Sequence, residues 1–281
     1  MQKAQSRHIL LVAKAGQHEA ASLCTKVRQW LEQRGHSVTV IEAGRDDPSY
    51  ALPLDHVVVF GGDGTMLGVC RRIAGSPASV LGINFGRVGF LTEARPDEWQ
   101  EYLTACLENR LPRRSCAALV WSILREGEIL SGGYAVNDVV LGRATLARLL
   151  SLDISINGQR FGHLRSDGLI LSTPLGSSGY CASAGGPLLC PGVQAVAFVP
   201  VCPFRKGAQP MVFPGEAVFH LRIEPGSKDC YITLDGQEGQ KLQVGDLVEV
   251  RCLPNAVQLL DDESHFFARL RKRGFTPERC N

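Results

Sequence analysis

The chain has 281 residues, of which 44% are hydrophobic and 21% are charged, and its formal net charge is +2. These values are typical of a globular protein with a sizeable core, and the length favours two domains over one. The small net charge and the lack of a dense basic run give no reason to expect nucleic acid as a partner. No apolar stretch approaches the length of a membrane span, so we expect no membrane partner.

The first residues and the cysteines bear on the cellular compartment. A polar start is followed by an apolar run at 9–13 that is too short for the core of a signal peptide. The 10 cysteines are scattered, without a Cys-x-x-Cys pair or a Cys/His cluster at zinc spacing. We therefore expect reduced, mostly buried thiols in a cytoplasmic protein.

The first third of the chain alternates between strand and helix patterns. Strands are predicted at 8–13, 37–41, 56–60 and 79–83. Helices are predicted at 17–34, at 66–73 and from Pro96 onwards. Pro96 suits the first turn of a helix because its missing N–H needs no partner there. Such alternation indicates a parallel sheet covered by helices.

Beyond residue 112 the pattern becomes rich in strands. They are predicted at 118–124, 135–141, 152–156, 195–201, 217–223, 231–234 and 247–250. Asn157-Gly158 predicts a tight hairpin, because a type I′ turn needs positive φ at both positions. One helix is predicted after Ser177 and another at 265–273. We therefore predict an α/β domain at 1–112, an all-β domain at 113–254, and a tail at 255–281 that packs back on the first domain.

The most informative stretch is Gly61-Gly62-Asp63-Gly64-Thr65, directly after an apolar strand. Its glycines expose backbone N–H groups, and the helix that follows directs its positive end toward the turn, which makes an anion site. The stretch is not a Walker A loop, because no Gly-Lys-Ser/Thr follows. Asp63 could accept a proton from an attacking hydroxyl, or hold the Mg²⁺ that neutralises phosphates. The alternative is a tight turn in which Asp63 only caps the helix.

Four further motifs follow this loop along the chain. They lie at 82–92, at Asn137-Asp138, at 165–187 and at 235–237. Together with the loop they resemble, in order and spacing, the signatures of the NAD kinase family. The loop alone is shared with lipid kinases and phosphofructokinases, and the family has Asn-Glu where this chain has Asn137-Asp138. The resemblance spans roughly residues 8–251.

The resemblance implies phosphoryl transfer to the 2′-hydroxyl of the adenosine ribose of NAD, from ATP or polyphosphate, with a divalent metal ion, most simply Mg²⁺. It also implies an α/β domain and a β-sandwich-like domain with NAD in the cleft between them, in a homodimer or homotetramer. Asp63 would act on the hydroxyl, Asn137 would bind the adenine and Asp138 the ribose. The other residues expected to bind substrate are Gly62, Gly64, Phe90, Arg165, Asp167, Ser178, Gly179, Tyr180, Ser183 and Gln237.

Elementary chemistry supports the two roles at Asn137-Asp138. A carboxylate can accept two hydrogen bonds from a ribose diol, and an amide supplies the paired donor and acceptor that adenine needs. Two alternatives remain open. A lipid kinase would share the glycine-rich loop. A diverged NAD(P)-binding sensor without kinase activity is suggested by three departures from the family pattern, since Leu175, Phe204 and Gln209 stand where Thr or Ser, His and Arg are usual.

Overall fold

The computed structural model describes residues 6–44, 47–86, 89, 91, 94–143, 149–204, 208–227, 229–261, 266–272 and 274–275. The chain divides into two compact units. The first contains Met1–Ser115 and Val257–Asn281, and the second contains Cys116–Ala256. Both boundaries fall within strands rather than in loops.

The first unit is built on a parallel sheet. Its strands are β1 (His8–Ala13), β2 (Ser37–Glu42), β3 (His56–Gly61) and β4 (Ser79–Asn84). They lie in the order β2-β1-β3-β4, and residues 258–259 of the final strand pair in parallel with β4. Both β3 and β4 are buried along their whole length, as expected for parallel strands covered on both faces.

Helices of the first unit follow these strands closely. They are α1 (His18–Glu32), α2 (Asp63–Ile73) and α3 (Trp99–Leu107). The prediction that Pro96 opens a helix was wrong, because α3 begins three residues later. The Glu98 side chain accepts a hydrogen bond from the Arg95 N–H at 3.1 Å, and the Glu98 N–H donates to the Arg95 carbonyl at 3.0 Å. These reciprocal bonds close a turn that keeps Pro96 outside the helix.

The second unit is a sandwich of two antiparallel sheets. One sheet contains the hairpin β5 (Arg113–Arg125) and β6 (Glu128–Ala135), with β8 (Leu150–Ile156), β9 (Gln159–Ser166), β13 (Val218–Ile223) and the first part of β16 (Leu247–Leu260). The other sheet, in spatial order, contains β12 (Met211–Pro214), β11 (Ala195–Val201), β10 (Gly168–Ser172), β7 (Asp138–Arg143), β14 (Cys230–Leu234) and β15 (Glu238–Leu242).

The core of this unit lies between the two sheets. Phe198 of the second sheet stacks with Phe219 of the first at a ring distance of 6.3 Å, and Leu171 and Ile232 are buried in the same cluster. The opposite face of the second sheet is covered by the segment that follows β10, where Cys181 is fully buried. This segment contains a 3₁₀ turn at Gly176–Ser178 and a short helix α4 (Tyr180–Ser183), near the predicted helix.

Several predicted elements are confirmed and others need correction. Asn157 and Gly158 have φ of 51° and 73° and join β8 to β9 as predicted. The strand predicted at 135–141 is wrong as one element, because β6 ends at Ala135 and β7 begins at Asp138. Strands β10, β12 and β15, and β6 except for its last residue, were not predicted, and β16 continues well past residue 250. The predicted C-terminal helix is present as α5 (Phe266–Lys272).

Among the described residues, no helix combines the length with the apolar character needed to cross a bilayer.

Candidate functional site

The glycine-rich turn after β3 leads directly into the first turn of α2. Gly62 is the residue before the helix, and its carbonyl accepts a hydrogen bond from the Met66 N–H at 3.0 Å. A side chain at Gly61 would meet Thr65, whose Oγ1 lies 2.6 Å from the position of a Cβ. The helix begins at Asp63, so its positive end and first N–H groups face the turn. This arrangement can bind a phosphate group.

The carboxylate of Asp63 is held by the loop that follows β4. The Leu91 N–H donates to Asp63 Oδ1 at 3.0 Å. Gly89 approaches so closely that a Cβ at this position would overlap the carboxylate. The buried Asn84 at the end of β4 shapes the same loop, since its Oδ1 accepts from the Gly86 N–H at 2.8 Å. Asp63 remains partly exposed, and Phe90, which is predicted to bind substrate, lies outside the described residues.

Asn137 lies in the two-residue gap between β6 and β7 in the second unit. Its carbonyl accepts hydrogen bonds from the Thr173 N–H at 2.9 Å and from the Ser172 hydroxyl at 3.2 Å. The Thr173 hydroxyl donates to the Val136 carbonyl at 2.6 Å and accepts from the Gly176 N–H at 3.1 Å. A Cβ at Gly176 would overlap the backbone of Asn137. The start of the segment after β10 is therefore packed directly against this turn.

Asp235 reaches the same turn from the end of β14. Its carboxylate accepts hydrogen bonds from three consecutive backbone N–H groups, those of Val136 at 3.2 Å, Asn137 at 2.7 Å and Asp138 at 3.2 Å. In return, the Asp235 N–H donates to the Asp138 carbonyl at 2.9 Å. Asp235 is buried and has a φ of 53°. The sequence reasoning included Asp235 in the motif at 235–237 but missed this role, because neither the motif nor the Asp-Gly pair indicates which backbone groups the carboxylate binds.

Asp138 is a buried carboxyl at the start of β7, with 5% of its surface exposed. Burial raises its pKa to about 7, and the nearby charge of Asp235 contributes in the same direction. The carboxyl therefore exchanges its proton close to neutral pH. The Cys181 thiol of α4 is also buried, and burial raises its pKa to about 11, so it remains protonated.

The predicted contacts at Ser178, Gly179, Tyr180 and Ser183 lie on the segment that covers the second sheet. Ser178 ends the 3₁₀ turn, and the other residues begin or form α4. Tyr180 is 49% exposed and Ser183 is exposed, with its hydroxyl donating to the Gly179 carbonyl at 3.4 Å. Their surfaces are accessible to a ligand, while the buried Cys181 anchors the helix to the sheet.

Arg165 and Asp167 contact a different set of residues. The Asp167 carboxylate pairs with Arg143 at 2.7 Å. The Arg165 guanidinium lies over the ring of Phe204, 5.3 Å from its centroid. Both Arg165 and Phe204 line a cavity of about 460 Å³, together with the half-exposed Phe161. The described contacts thus join Asn137 and Asp138 to Asp235, whereas Arg165 contacts Phe204 and Asp167 contacts Arg143.

Gln237 lies in the exposed turn between β14 and β15. Its backbone N–H donates to the Leu234 carbonyl at 2.9 Å, which closes the turn that also contains Asp235. The predicted binding residue Gln237 is therefore two positions from the carboxylate that holds the Asn137 turn.

The fit of a divalent metal ion can be judged from the carboxylates. Within the described ranges, no three or more His, Cys, Asp or Glu side chains are grouped to hold a metal ion. Mg²⁺ in phosphoryl-transfer sites needs only one or two carboxylates, because phosphate oxygens and waters supply the other ligands. Asp63, a partly exposed carboxylate in an anion-binding turn, fits this requirement.

Comparison with known proteins identifies the relatives of this chain. Residues 47–111 match the ATP-NAD kinase N-terminal domain, and residues 136–261 match the ATP-NAD kinase C-terminal domain. An NAD kinase from Nitratidesulfovibrio vulgaris (strain DSM 19637 / Miyazaki F) is 40% identical over 278 residues, which are 98% of each chain. The chain belongs to the NAD kinase family.

Two solved structures show the same fold. Yeast NADH kinase complexed with NADH matches with a TM-score of 0.85 and 22% identity, over 98% of this chain and 90% of that one. An NAD kinase from Archaeoglobus fulgidus in complex with ATP matches with a TM-score of 0.73 and 24% identity, over 94% and 98%. As an NAD kinase, the enzyme is a phosphotransferase, and the lipid-kinase and sensor alternatives are not favoured.

Proposed function

We propose that Asp63 is the catalytic carboxylate in the transfer of the γ-phosphoryl group of ATP to the 2′-hydroxyl of the adenosine ribose of NAD. The supporting observation is a partly exposed carboxylate in an anion-binding turn, held by the Leu91 N–H at 3.0 Å. Asp63 accepts the hydroxyl proton as the ribose oxygen bonds to phosphorus and the bond to the β-phosphate oxygen breaks. The products are NADP and ADP.

The phosphate groups of the donor bind at the backbone of the loop. Gly62 and Gly64 lie on either side of Asp63, where the absence of side chains lets phosphate oxygens approach the peptide N–H groups. When bound, Mg²⁺ would neutralise the phosphate charge, with Asp63 as its protein ligand. Polyphosphate presents the same chemistry to this loop and is the second donor that we propose.

The adenosine of NAD is held by the turn between β6 and β7. The Asn137 amide pairs with the adenine edge, and the Asp138 carboxylate accepts hydrogen bonds from the ribose hydroxyls. Support comes from the fixed backbone of this turn, which is bonded on both its N–H and its carbonyl side. We assign further dinucleotide contacts to the predicted residues Phe90, Arg165, Asp167, Ser178, Gly179, Tyr180, Ser183 and Gln237.

The enzyme is proposed to work as a homodimer or homotetramer in the cytoplasm. Two aromatic side chains with large exposed fractions, Phe161 at 44% and Phe204 at 67%, flank the cavity in the second unit and are suited to burial in an interface. Light scattering after size-exclusion chromatography measures the mass directly, and a monomer of 30.5 kDa at micromolar concentration would contradict the assembly.

The catalytic role is tested by NADP formation from NAD with Mg²⁺ and a donor. ATP, other nucleoside triphosphates and polyphosphate are each paired with NAD and with NADH. Asp63→Asn is expected to lower kcat by roughly a hundredfold or more, as for a lost general base, with the KM for NAD little changed. Asp97→Asn, at a carboxylate whose side chain is 70% exposed, is the control and should retain full activity. Unchanged turnover in Asp63→Asn would reject the proposed role.

A further inference from the structure

We infer that Asp235 is a positioning residue that fixes the Asn137–Asp138 turn for the adenosine of the substrate. The inference rests on the adenosine-binding roles proposed above for these two residues. Asp235 is buried, and it acts through the backbone of the turn: its carboxylate accepts from the N–H groups of Val136, Asn137 and Asp138. Its effect on catalysis is therefore expected through NAD binding.

The geometry explains why a carboxylate is needed at this position. Along a β-strand, successive N–H groups point to opposite sides, so a neighbouring strand cannot accept from three in a row. The strand pattern breaks at Val136 and Asn137, where three consecutive N–H groups converge on one side chain. An ionised carboxylate has enough acceptor positions for three donors, and hydrogen bonds to a charged acceptor are stronger than neutral ones.

The carbonyl groups of the turn are held by a different segment, the residue that follows β10. The Thr173 hydroxyl donates to the Val136 carbonyl at 2.6 Å, and the Thr173 N–H donates to the Asn137 carbonyl at 2.9 Å. With Asp235 on the N–H side, the peptide groups on both sides of Asn137 are bonded. Rotation of the Asn137 backbone would break several of these bonds at once. The direction of the Asn137 and Asp138 side chains is thus set before the substrate arrives, which lowers the ordering cost of binding.

Asp235 also acts on Asp138 through its charge. Its negative charge adds to burial in raising the pKa of Asp138. Removing that charge lowers this pKa, so that Asp138 ionises at a lower pH. This electrostatic consequence distinguishes Asp235 from a residue that merely stabilises the fold, because a loss of folded protein does not move a titration midpoint.

The first test is Asp235→Asn, which keeps the shape of the side chain. The amide offers one acceptor oxygen, and its NH₂ group faces backbone donors. We expect the KM for NAD to rise about tenfold or more while kcat stays within about threefold, because the residues of the phosphate loop are unchanged. The acid limb of the kcat/KM profile for NAD should move to lower pH. Asp229→Asn is the matched control, since Asp229 also has positive φ, at 50°, adjoins the other end of β14, and pairs with Lys241 in solvent.

The second test uses a pair of variants at Thr173, which holds the carbonyl side of the turn. Thr173→Val removes the hydroxyl that bonds the Val136 carbonyl, and Thr173→Ser keeps it. We expect the KM for NAD to rise severalfold in Thr173→Val and to be restored to within about twofold in Thr173→Ser. This pair also serves if Asp235→Asn fails to fold, as judged by circular dichroism and thermal unfolding.

The inference is overturned if folded Asp235→Asn keeps a KM for NAD within twofold of the wild type and an unmoved acid limb. It is also overturned if Asp235→Asn does not fold and Thr173→Val and Thr173→Ser bind NAD equally well. Either result would leave the proposed chemistry intact, provided that the wild type makes NADP and that Asp63→Asn lowers kcat by about a hundredfold or more. Failure of the wild type to make NADP would instead reject the proposed function itself.

Discussion

The phosphate loop of the first unit and the Asn137–Asp138 turn of the second use their backbones in opposite ways. In the loop, the start of α2 directs N–H groups toward the turn at which we propose that phosphate binds, and Asp63 stays partly exposed beside them. In the turn, three consecutive N–H groups are bonded by Asp235, and Asp138 is buried. The backbone N–H groups of the loop are therefore placed for the proposed contact with ligand, whereas those of the turn are already bonded and leave that contact to the side chains.

The three aspartates in these regions have different surroundings. Asp63 is accessible and can contact a reacting hydroxyl. The pKa of Asp138 is raised to about 7 by burial, so its charge depends on pH in the physiological range. Asp235 has its carboxylate bonded to the backbone and is expected to hold other groups in place. These differences in local environment are the basis for the separate catalytic, binding and positioning roles that we propose for the three residues.

The largest effect that tests this division is expected at Gly89. Gly89→Ala places a methyl group where the Asp63 carboxylate lies, so that the carboxylate must move. Because a displacement of about 1 Å can cost about a hundredfold in rate, we expect kcat to fall by about ten- to a hundredfold, with a smaller change in the KM for NAD. Steady-state kinetics at saturating ATP measure both constants.

Gly86→Ala is the control for this variant. A Cβ at Gly86 would lie 3.6 Å from Asn84 Oδ1, an ordinary van der Waals contact, and the Gly86 N–H is retained for its bond to that oxygen. Its activity should stay within twofold of the wild type. A Gly89→Ala enzyme with wild-type kcat would show that catalysis tolerates displacement of the Asp63 carboxylate. This result would contradict the proposed role of Asp63 in the first unit.

A smaller effect, on a different kinetic constant, is expected at Gly176. Gly176→Ala introduces a methyl group that overlaps the backbone of Asn137 and displaces the turn. We expect the KM for NAD to rise about tenfold and kcat to change less, because the phosphate loop is untouched. Gly142→Ala on β7 is the control, since no atom lies within 4 Å of the position of its Cβ. If Gly176→Ala instead lowered kcat alone, the turn would not be a binding element.

The smallest effect is a pH dependence of NAD binding set by Asp138. With a pKa of about 7, the ionised fraction rises from about a tenth at pH 6 to about nine-tenths at pH 8. If Asp138 binds the ribose as proposed, its ionised form accepts the ribose hydrogen bonds, and kcat/KM for NAD should rise about five- to tenfold across this range. Asp138→Asn should remove this rise of kcat/KM with pH, and Asp138→Glu should retain a rise. If kcat/KM for NAD rose with pH in Asp138→Asn by the same factor and with the same midpoint as in the wild type, the titration would belong to another group.

Thermal unfolding gives an independent check on the same group. The pKa of Asp138 is raised in the folded state, so its stabilising contribution is present below about pH 4 and is lost as the pH rises through about 7. Asp138→Asn removes this loss. The Tm of Asp138→Asn relative to the wild type should therefore be higher at pH 8 than at pH 5, by about 3 °C or more. An identical Tm difference at both pH values would contradict the raised pKa.

Much of the first unit could be predicted because its signals are local. The apolar runs that become β1 and β3, the helical spacing of α1 and the loop around Asp63 can each be recognised within a short window of sequence. The errors have local causes as well. Pro96 suits a first turn of helix, but the hydrogen bonds between Arg95 and Glu98 form a separate turn instead.

The second unit was harder to predict because its decisive contacts join distant parts of the chain. Asn137-Asp138 could be singled out from its resemblance to a family motif. The break between β6 and β7 could not be predicted in this way, since it depends on a hydrogen bond from the Asn137 N–H to Asp235, 98 residues away. Strand β16 likewise extends to Leu260 because its last residues pair with β4, which the local pattern does not indicate.

The sequence by itself determined the family, and it singled out the glycine-rich loop with Asp63 and the Asn137-Asp138 pair that we propose for the adenosine site, because each depends on a short run of residue types at fixed spacing. Only the tertiary structure decided that Asp235 holds the turn, that Gly89 and Gly176 must lack side chains, and that Asp138 titrates near neutrality. The physical reason is that hydrogen-bond partners, steric contacts and burial are set by segments that folding brings together, whereas a motif specifies only its own residues.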